Sequence, residues 1–356
     1  MGEKYRRRMI TVNARATFGP GEAFKPVTIQ RRDVGARDIL IDIAFVGICH
    51  SDIHHARSDS GTKAYPLVPG HEIAGIVSAV GSEVTRFSVG DRVGVGCLVD
   101  SCRDCAHCRA GREQFCSGYV ATYGSVGRDG ETTQGGYSEK IVVDEDFVVR
   151  IPKAIPLQSA APLLCAGITQ YSPLVHWNAG AGKRVAILGF GGLGHVGVQI
   201  SKALGAHTTV LDLSLAKRAD GLRLGADDYR ATTDADTFAD LAESFDLILS
   251  TVPANFDIDA YLNLLAMNGT LVCIGLPKTP PSISLNTLRH NRRSIAGTKI
   301  GGLSETQEMI NFCAEHGIGA VVEVIDADQI DEAYDRVVAG DVRFRFVIDI
   351  KTMADH

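Results

Sequence analysis

The chain has 356 residues, a net charge of −6, 45% hydrophobic and 22% charged residues, a composition that excludes a disordered or fibrous protein. The length exceeds one ordinary core and predicts two domains. The negative balance argues against a general nucleic-acid or acidic-membrane surface, so small molecules are the expected partners.

Met1 to Met9 is basic through Arg6, Arg7 and Arg8, but Ile10 and Val12 begin no apolar stretch of signal-peptide length, so the segment reads as a solvated extension. From Ile10 to about Arg150 short β-like runs are broken by Gly, Pro and Asp. Ile39 to Val46, Ile73 to Val80 and Tyr137 to Val143 are the clearest. Within this irregular β region, Cys102, Cys105, Cys108 and Cys116 stand at a C-x2-C-x2-C-x7-C spacing. Four thiolates so close can converge on one tetrahedral zinc, and four protein ligands leave no open position for chemistry. That loop is expected to be structural. Nine cysteines with no export signal suggest a reducing, cytoplasmic setting, with Cys97, Cys273 and Cys313 as plain core or surface residues.

Near Ala160 the rhythm becomes helical. Arg184 to Leu188 is then a predicted strand, followed by a glycine turn, a helix over about Leu193 to Leu204 and a strand over Thr208 to Leu211. That order is a βαβ unit, which implies a parallel sheet. Further strands are predicted at Leu247 to Ser250 and Thr270 to Ile274. The chain ends on a helix near Glu305 to Glu315, a strand near Val321 to Val324, a helix over Ile330 to Ala339 and a strand over Arg343 to Ile350. Val185 to Ile200 holds five glycines and is too short and broken to span a bilayer, so no membrane segment is expected.

The turn Gly189-Phe-Gly191-Gly192-Leu193-Gly194 is a G-x-G-x-x-G after a strand and before a helix, which fits a pyrophosphate approached by bare backbone at a helix N-terminus. Asp212, at the end of the second strand, stands where a carboxylate would accept from a ribose diol and repel a 2′-phosphate, which favours NAD. Lys217 and Arg218 just beyond could grip such a phosphate, or line a solvated helix face. Cys49, His71 and Cys165 would together give zinc two thiolates and an imidazole with a fourth position open, although any one alone reads more readily as structural.

As a set, Gly47-Ile-Cys49-His50-Ser51-Asp52-Ile-His54, Gly70-His71-Glu72, the four-cysteine loop, Thr133-Gln-Gly-Gly-Tyr137, Ala161-Pro-Leu-Leu-Cys165 and the Gly189 turn resemble the zinc-dependent medium-chain alcohol dehydrogenases, nearest the cinnamyl alcohol dehydrogenase branch. The resemblance covers nearly the whole chain. It implies an α/β protein: a GroES-like irregular β catalytic domain over 1–165 and 304–356, and a Rossmann doubly wound parallel-sheet nucleotide domain over 166–303. It also implies a homodimer with about two zinc ions per chain. By resemblance the catalytic zinc is held by Cys49, His71 and Cys165, with Glu72 able to replace water. Ser51 and His54 would relay the alcohol proton through the nicotinamide ribose, His50 would face the pyrophosphate, and Thr169 would touch the nicotinamide. Asp52 is the candidate acceptor for the free N–H of His71. His55 and His107 read as surface histidines.

The branch commonly uses NADP through hydroxyl residues after the second strand and a lysine further on. Here Asp212 and Leu213 take the first positions, while Ser214 and Lys217 remain. NAD is therefore the expected cofactor, with NADP implied by the resemblance. The expected activity is hydride transfer between that cofactor and a primary alcohol or aldehyde, aromatic or medium-length and apolar, in a cleft lined in part by Gly118 to Tyr123. A quinone or enone reductase on the same fold, or a non-catalytic zinc protein, are the competing readings. Cys49, His71 and Cys165 speak against the first, and the absence of a basic stripe in the cysteine loop against the second.

Overall fold

The structure, a computed structural model, describes residues 9–58, 64–277 and 279–355, so the N-terminal extension up to Arg8 lies outside the described residues. The chain divides into two compact units, Met1–Cys165 with Gly301–His356, and Ala166–Ile300.

The first unit is built on a seven-stranded sheet. In spatial order its strands are Val322–Ile325, Arg345–Asp349, Asp38–Gly47, Ile73–Val80, Arg92–Val95 and Val149–Arg150, with Lys140–Asp144 also pairing Asp38–Gly47. All pairs are antiparallel except Val322–Ile325 with Arg345–Asp349. The register is what matters for the site. Val46 sits opposite both Ile73 and Ile348, so the chain leaving Gly47 runs beside the residues entering Ile73 and beside Phe346. Gly47 N–H donates to Glu72 O at 3.0 Å and Ile48 N–H to Phe346 O at 2.9 Å. Alternating apolar residues Ile39, Ile41 and Ile43 bury one face, which pins that register, since a one-residue slip would turn them outward.

Two details differ from the sequence expectation. A hairpin, Ile10–Ala16 with Lys25–Arg31, precedes the sheet. The strand expected from Tyr137 begins only at Lys140, because Tyr137 O accepts from Arg15 N–H and Glu139 N–H donates to Asn13 O, tying those residues to the hairpin instead.

The second unit holds a six-stranded, wholly parallel sheet in the order Asp228–Ala231, His207–Asp212, Arg184–Leu188, Phe245–Ser250, Leu265–Cys273, Ser294–Gly297. Numbered along the chain this is 3-2-1-4-5-6. The order reverses at Arg184–Leu188, the place where open α/β sheets take their ligands. Its strands are near-continuous apolar runs, and Leu188, Leu211, Phe245, Ile248 and Leu271 are buried in one core. The outermost strands, Asp228–Ala231 and Ser294–Gly297, escape sequence reading because they are four residues long and carry polar side chains. Among the described residues no helix is long and apolar enough to cross a membrane.

Candidate metal and nucleotide sites

Cys49 ends the loop after Gly47 and precedes the helix His50–Ala56, whose Asp52 turns back so that its Oδ2 accepts the Cys49 N–H at 2.9 Å. His71 and Glu72 immediately precede Ile73. The turn before them needs Gly70, with φ +102°, because a Cβ there would lie 2.7 Å from the Tyr137 ring. Cys165 follows the short helical turn Ala161–Leu164. These three segments bring one ligand atom each from Cys49, His71, Glu72 and Cys165 within 4.8 Å of one another, all buried. Cys49 Sγ and Cys165 Sγ are 4.0 Å apart. A tetrahedral ion with Zn–S bonds of about 2.3 Å sets two sulfurs about 3.8 Å apart, so the donors present fit zinc in type and spacing.

The electrostatics suit a cation. The Cys165 thiol hydrogen-bonds to Cys49 and holds it well below an ordinary thiol, against the effect of burial, while Cys165 is pushed up in turn. Burial alone would depress the His71 imidazole, but Asp52 Oδ1, 3.0 Å from its Nδ1, holds it well above the usual value. The same contact occupies Nδ1 and leaves Nε2 as the ligand atom. Asp52 is fully buried and also accepts the Gly70 N–H at 3.1 Å.

Glu72 does not stand as an unengaged fourth ligand. Arg345 Nη2 lies 2.7 Å from both of its oxygens and donates to Ile48 O at 2.7 Å. Burial pushes the Glu72 carboxyl up and Arg345 pulls it back. The guanidinium is the counter-charge that a buried carboxylate requires, and it leaves three residues to hold a metal.

Sequence reading missed three neighbours of this centre. Arg345 was seen only as part of a terminal strand, and a guanidinium inside the run Phe344 to Ile350 was the available signal. Cys97, read as a plain core or surface residue, hydrogen-bonds to Cys165, which lowers its thiol pKa. Tyr123, placed with a stretch expected to line a cleft, is 4% exposed and packs its ring 5.9 Å from that of His71. Burial, and then the negative charge of the Asp52 carboxylate, hold that phenol well above its ordinary pKa. His55, read as a surface histidine, sets Nδ1 2.7 Å from the same hydroxyl. Of the relay candidates, Ser51 is exposed with Oγ 3.7 Å from Cys49 Sγ, and His54 is half-buried with its ring 4.8 Å from that of His50.

The four cysteines of the loop also converge, one sulfur each within 4.8 Å of the others. Cys102 Sγ lies 3.8 Å and Cys105 Sγ 3.5 Å from Cys108 Sγ. Backbone N–H groups of Cys105, Cys102 and Gly118 donate to sulfurs of the set, which favours thiolates. Arg103, at φ +62° inside the loop, ties it to the sheet through Asp100 at 3.0 Å and Asp144 at 2.9 Å.

In the second unit the glycine turn lies between Arg184–Leu188 and the ten-residue helix Gly194–Ala203, with Leu193 at its N-cap. Gly194 is required by close packing, since a Cβ would fall 2.0 Å from Gly189 O. Gly191 is the opposite case: a Cβ would meet nothing within 4 Å. An open backbone at a helix N-terminus, beside Gly192, is the surface a pyrophosphate needs. Asp212 ends its strand, but its Oδ2 accepts from the Tyr229 hydroxyl at 3.0 Å. Lys217 Nζ reaches back to Phe190 O, inside the turn, at 3.4 Å. Thr169 is buried on the helix Ala166–His176.

Comparison with known proteins accounts for this combination. Residues 35–153 match the alcohol dehydrogenase GroES-like domain and residues 192–315 the zinc-binding dehydrogenase family. The chain is 59% identical over 346 residues to NADP-dependent alcohol dehydrogenase C of Mycobacterium bovis, covering 97% of this chain and 100% of that one. It belongs to the zinc-dependent medium-chain alcohol dehydrogenases. Among solved structures, a cinnamyl alcohol dehydrogenase from Sorghum bicolor superposes with a TM-score of 0.93 at 40% identity over 96% of this chain and 98% of that one. The CAD of Helicobacter pylori, solved in complex with NADP(H), gives 0.91 at 43% identity over 97% and 99%. The enzyme is therefore an alcohol dehydrogenase of the cinnamyl alcohol dehydrogenase-like branch, with the GroES-like and Rossmann parts expected from its sequence.

Proposed function

We propose that this alcohol dehydrogenase interconverts primary alcohols, aromatic or medium-length and apolar, with their aldehydes, using NADP(H) and two zinc ions per chain, one held by Cys49, His71 and Cys165 and one by the four-cysteine loop. The observation that carries the reading is the buried convergence of two thiols and an imidazole with Glu72 held by Arg345, a donor set with a position left over. Zinc bound there supplies Lewis acidity toward an alcohol or carbonyl oxygen at neutral pH, and a bound nicotinamide supplies or accepts the hydride.

The chain's own residues do the rest. Asp52 holds the Nδ1 proton of His71 and so fixes which nitrogen faces the metal. Ser51 and His54, three apart on the helix His50–Ala56 and so on one face, pass the substrate proton outward, Ser51 lying nearest the ligand sulfur and His54 half-open to water. Gly191, Gly192, Leu193 and Gly194 take the pyrophosphate, with His50 and Thr169 as further cofactor contacts.

The NAD expectation drawn from Asp212 is not supported by the Mycobacterium bovis relative, which is named NADP-dependent, nor by the Helicobacter pylori structure with NADP(H). One oxygen of Asp212 is already taken by Tyr229, and Lys217 lays its ammonium on the glycine turn. Both features favour a phosphate-bearing cofactor. A homodimer paired along the edge strand Ser294–Gly297 is in keeping with an outer side that no strand among the described residues pairs, and a cytoplasmic setting with nine free cysteines.

Metal analysis and one variant test the reading together. The parent protein should carry about two zinc per chain. Cys49→Ser should lower that to about one and abolish turnover, with NADPH affinity nearly unchanged. A fully active Cys49→Ser enzyme would remove this centre from the reaction.

A further inference from the structure

One motif of the sequence, Thr133-Gln-Gly-Gly-Tyr137, has no part in the reaction described so far. It forms a strap across the turn that leads into His71. Gly135 N–H donates to Val68 O at 2.7 Å, Tyr137 N–H to Pro69 O at 2.9 Å and Gly136 N–H to Gly70 O at 2.8 Å, while Gln134 Oε1 accepts the Val68 N–H at 3.2 Å. The two backbones lie too close for side chains, since a Cβ on Gly135 would fall 2.2 Å from Pro69 O. Gly70 is thus gripped from both sides: its carbonyl by the strap, and its N–H by Asp52 Oδ1 at 3.1 Å, the same oxygen that meets His71 Nδ1. The strap is in turn gathered by one side chain. Arg31, the last residue of the strand Lys25–Arg31, is 8% exposed, and its guanidinium donates to Gln134 O at 2.6 Å, Gly135 O at 2.8 Å, Lys140 O at 3.0 Å and Ser138 Oγ at 2.8 Å. No carboxylate is among those partners. A buried cation spread over carbonyls makes charge-assisted bonds in a fixed fork geometry, so it sets where the strap lies rather than balancing a charge.

We propose that Arg31 is a positioning residue for the catalytic metal: by gathering the carbonyls of Gln134, Gly135 and Lys140 it holds the strap 134–137 against residues 68–70 and so fixes the turn that aims His71. A turn free to shift would loosen the contact between His71 and Asp52 that selects the ligand nitrogen, and the centre would keep its ion for a shorter time. The inference rests on the reading of Cys49, His71 and Cys165 as a zinc centre. A zinc count near one in the parent protein would fail that reading, whereas the release kinetics below test the strap itself.

The experiment follows zinc loss from the zinc-loaded full chain to a coloured chelator. Release from the four-cysteine loop, a separate phase, is the internal control. Arg31→Met keeps an unbranched side chain and deletes its donors, and is expected to speed loss from the His71 centre by about tenfold, the scale usual for an outer partner of a metal ligand. Gln134→Met removes only the bond to Val68 N–H and is expected to speed it by less; it also carries the test should Arg31→Met fail to fold. In the double variant the Gln134 effect should shrink, because a strap already released no longer delivers that bond. Loaded with Co2+ in place of zinc, Arg31→Met should shift the visible bands of the His71 centre, whose imidazole is re-aimed, and leave those of the four-thiolate site. Parent-like release in Arg31→Met or in Gln134→Met, or single effects that multiply in full in the double variant, overturns the proposal. A general loosening of the fold would quicken both phases alike, and that result overturns it too.

Discussion

Replacing Arg345 by Met removes the charge that faces Glu72 while keeping a side chain of similar length. The loss can be sized from the geometry. Glu72 is wholly buried and Arg345 nearly so, with 0% and 4% of their side chains exposed, and one guanidinium nitrogen serves both carboxylate oxygens and Ile48 O at 2.7 Å. No solvent screens the pair, and removing one partner of a buried ion pair costs about 3–5 kcal/mol, because burial, which already pushes the Glu72 carboxyl up to about 8 against the pull of Arg345, then acts on it unopposed. For a unit of this size that corresponds to a melting midpoint lower by roughly 6–20 °C. Thermal unfolding of the zinc-loaded protein measures it. The control is the double variant Arg345→Met with Glu72→Gln, in which no buried charge remains, and it should recover more than half of the loss. A single variant as stable as the parent, or a double variant no better than the single, would refute the account of Arg345 as counter-charge.

The glycine turn offers a contrast between two alanines. Gly191→Ala meets empty space and should leave the melting midpoint in place while weakening NADPH binding about tenfold or more by titration, because the methyl group occupies the approach of the pyrophosphate. Gly194→Ala would drive a Cβ against Gly189 O and should instead cost about 2 kcal/mol of stability. Asp212→Ser removes the carboxylate at the end of the second strand of the parallel sheet, where the adenosine ribose is proposed to lie, and should raise kcat/KM for NADPH roughly tenfold, as removal of one like charge at close range implies; a fall would mean that Asp212 assists NADPH. The loop zinc should be acid-labile with a defined onset. Cys102 is held down to about 6 by the backbone N–H groups of Asp104 and Cys105. Protons compete with the metal for thiolates, so affinity falls as pH falls, and below about pH 6 Cys102, the readiest thiolate, also takes a proton. Zinc release from the loop, followed by chelator at stepped pH, should steepen there.

What could be read from the chain depended on how far apart the partners lie along it. The four-cysteine loop was legible because all its ligands fall between residues 102 and 116, and spacing alone constrains them. The glycine turn was legible because strand, turn and helix are consecutive, and the backbone itself makes the open surface proposed for the pyrophosphate. Cys49, His71 and Cys165 come from three distant segments, and no local pattern forces them together. They were found as a set of motifs, while the physical cause of their meeting is the register that sets Val46 opposite both Ile73 and Ile348.

The groups that tune each site were hidden for the same reason. Arg345 meets Glu72 across 273 positions, and Arg31 meets Gly135 across 104. Asp212 was placed at the right end of the right strand, yet its influence on the cofactor also depends on Tyr229, buried on the neighbouring strand and pointing its hydroxyl at one carboxylate oxygen. A carboxylate's sign is written in the sequence, but its available lone pairs are settled only by what folds against it. Residue type therefore foretold which chemistry is present here, and long-range pairing decides how strongly each group exerts it.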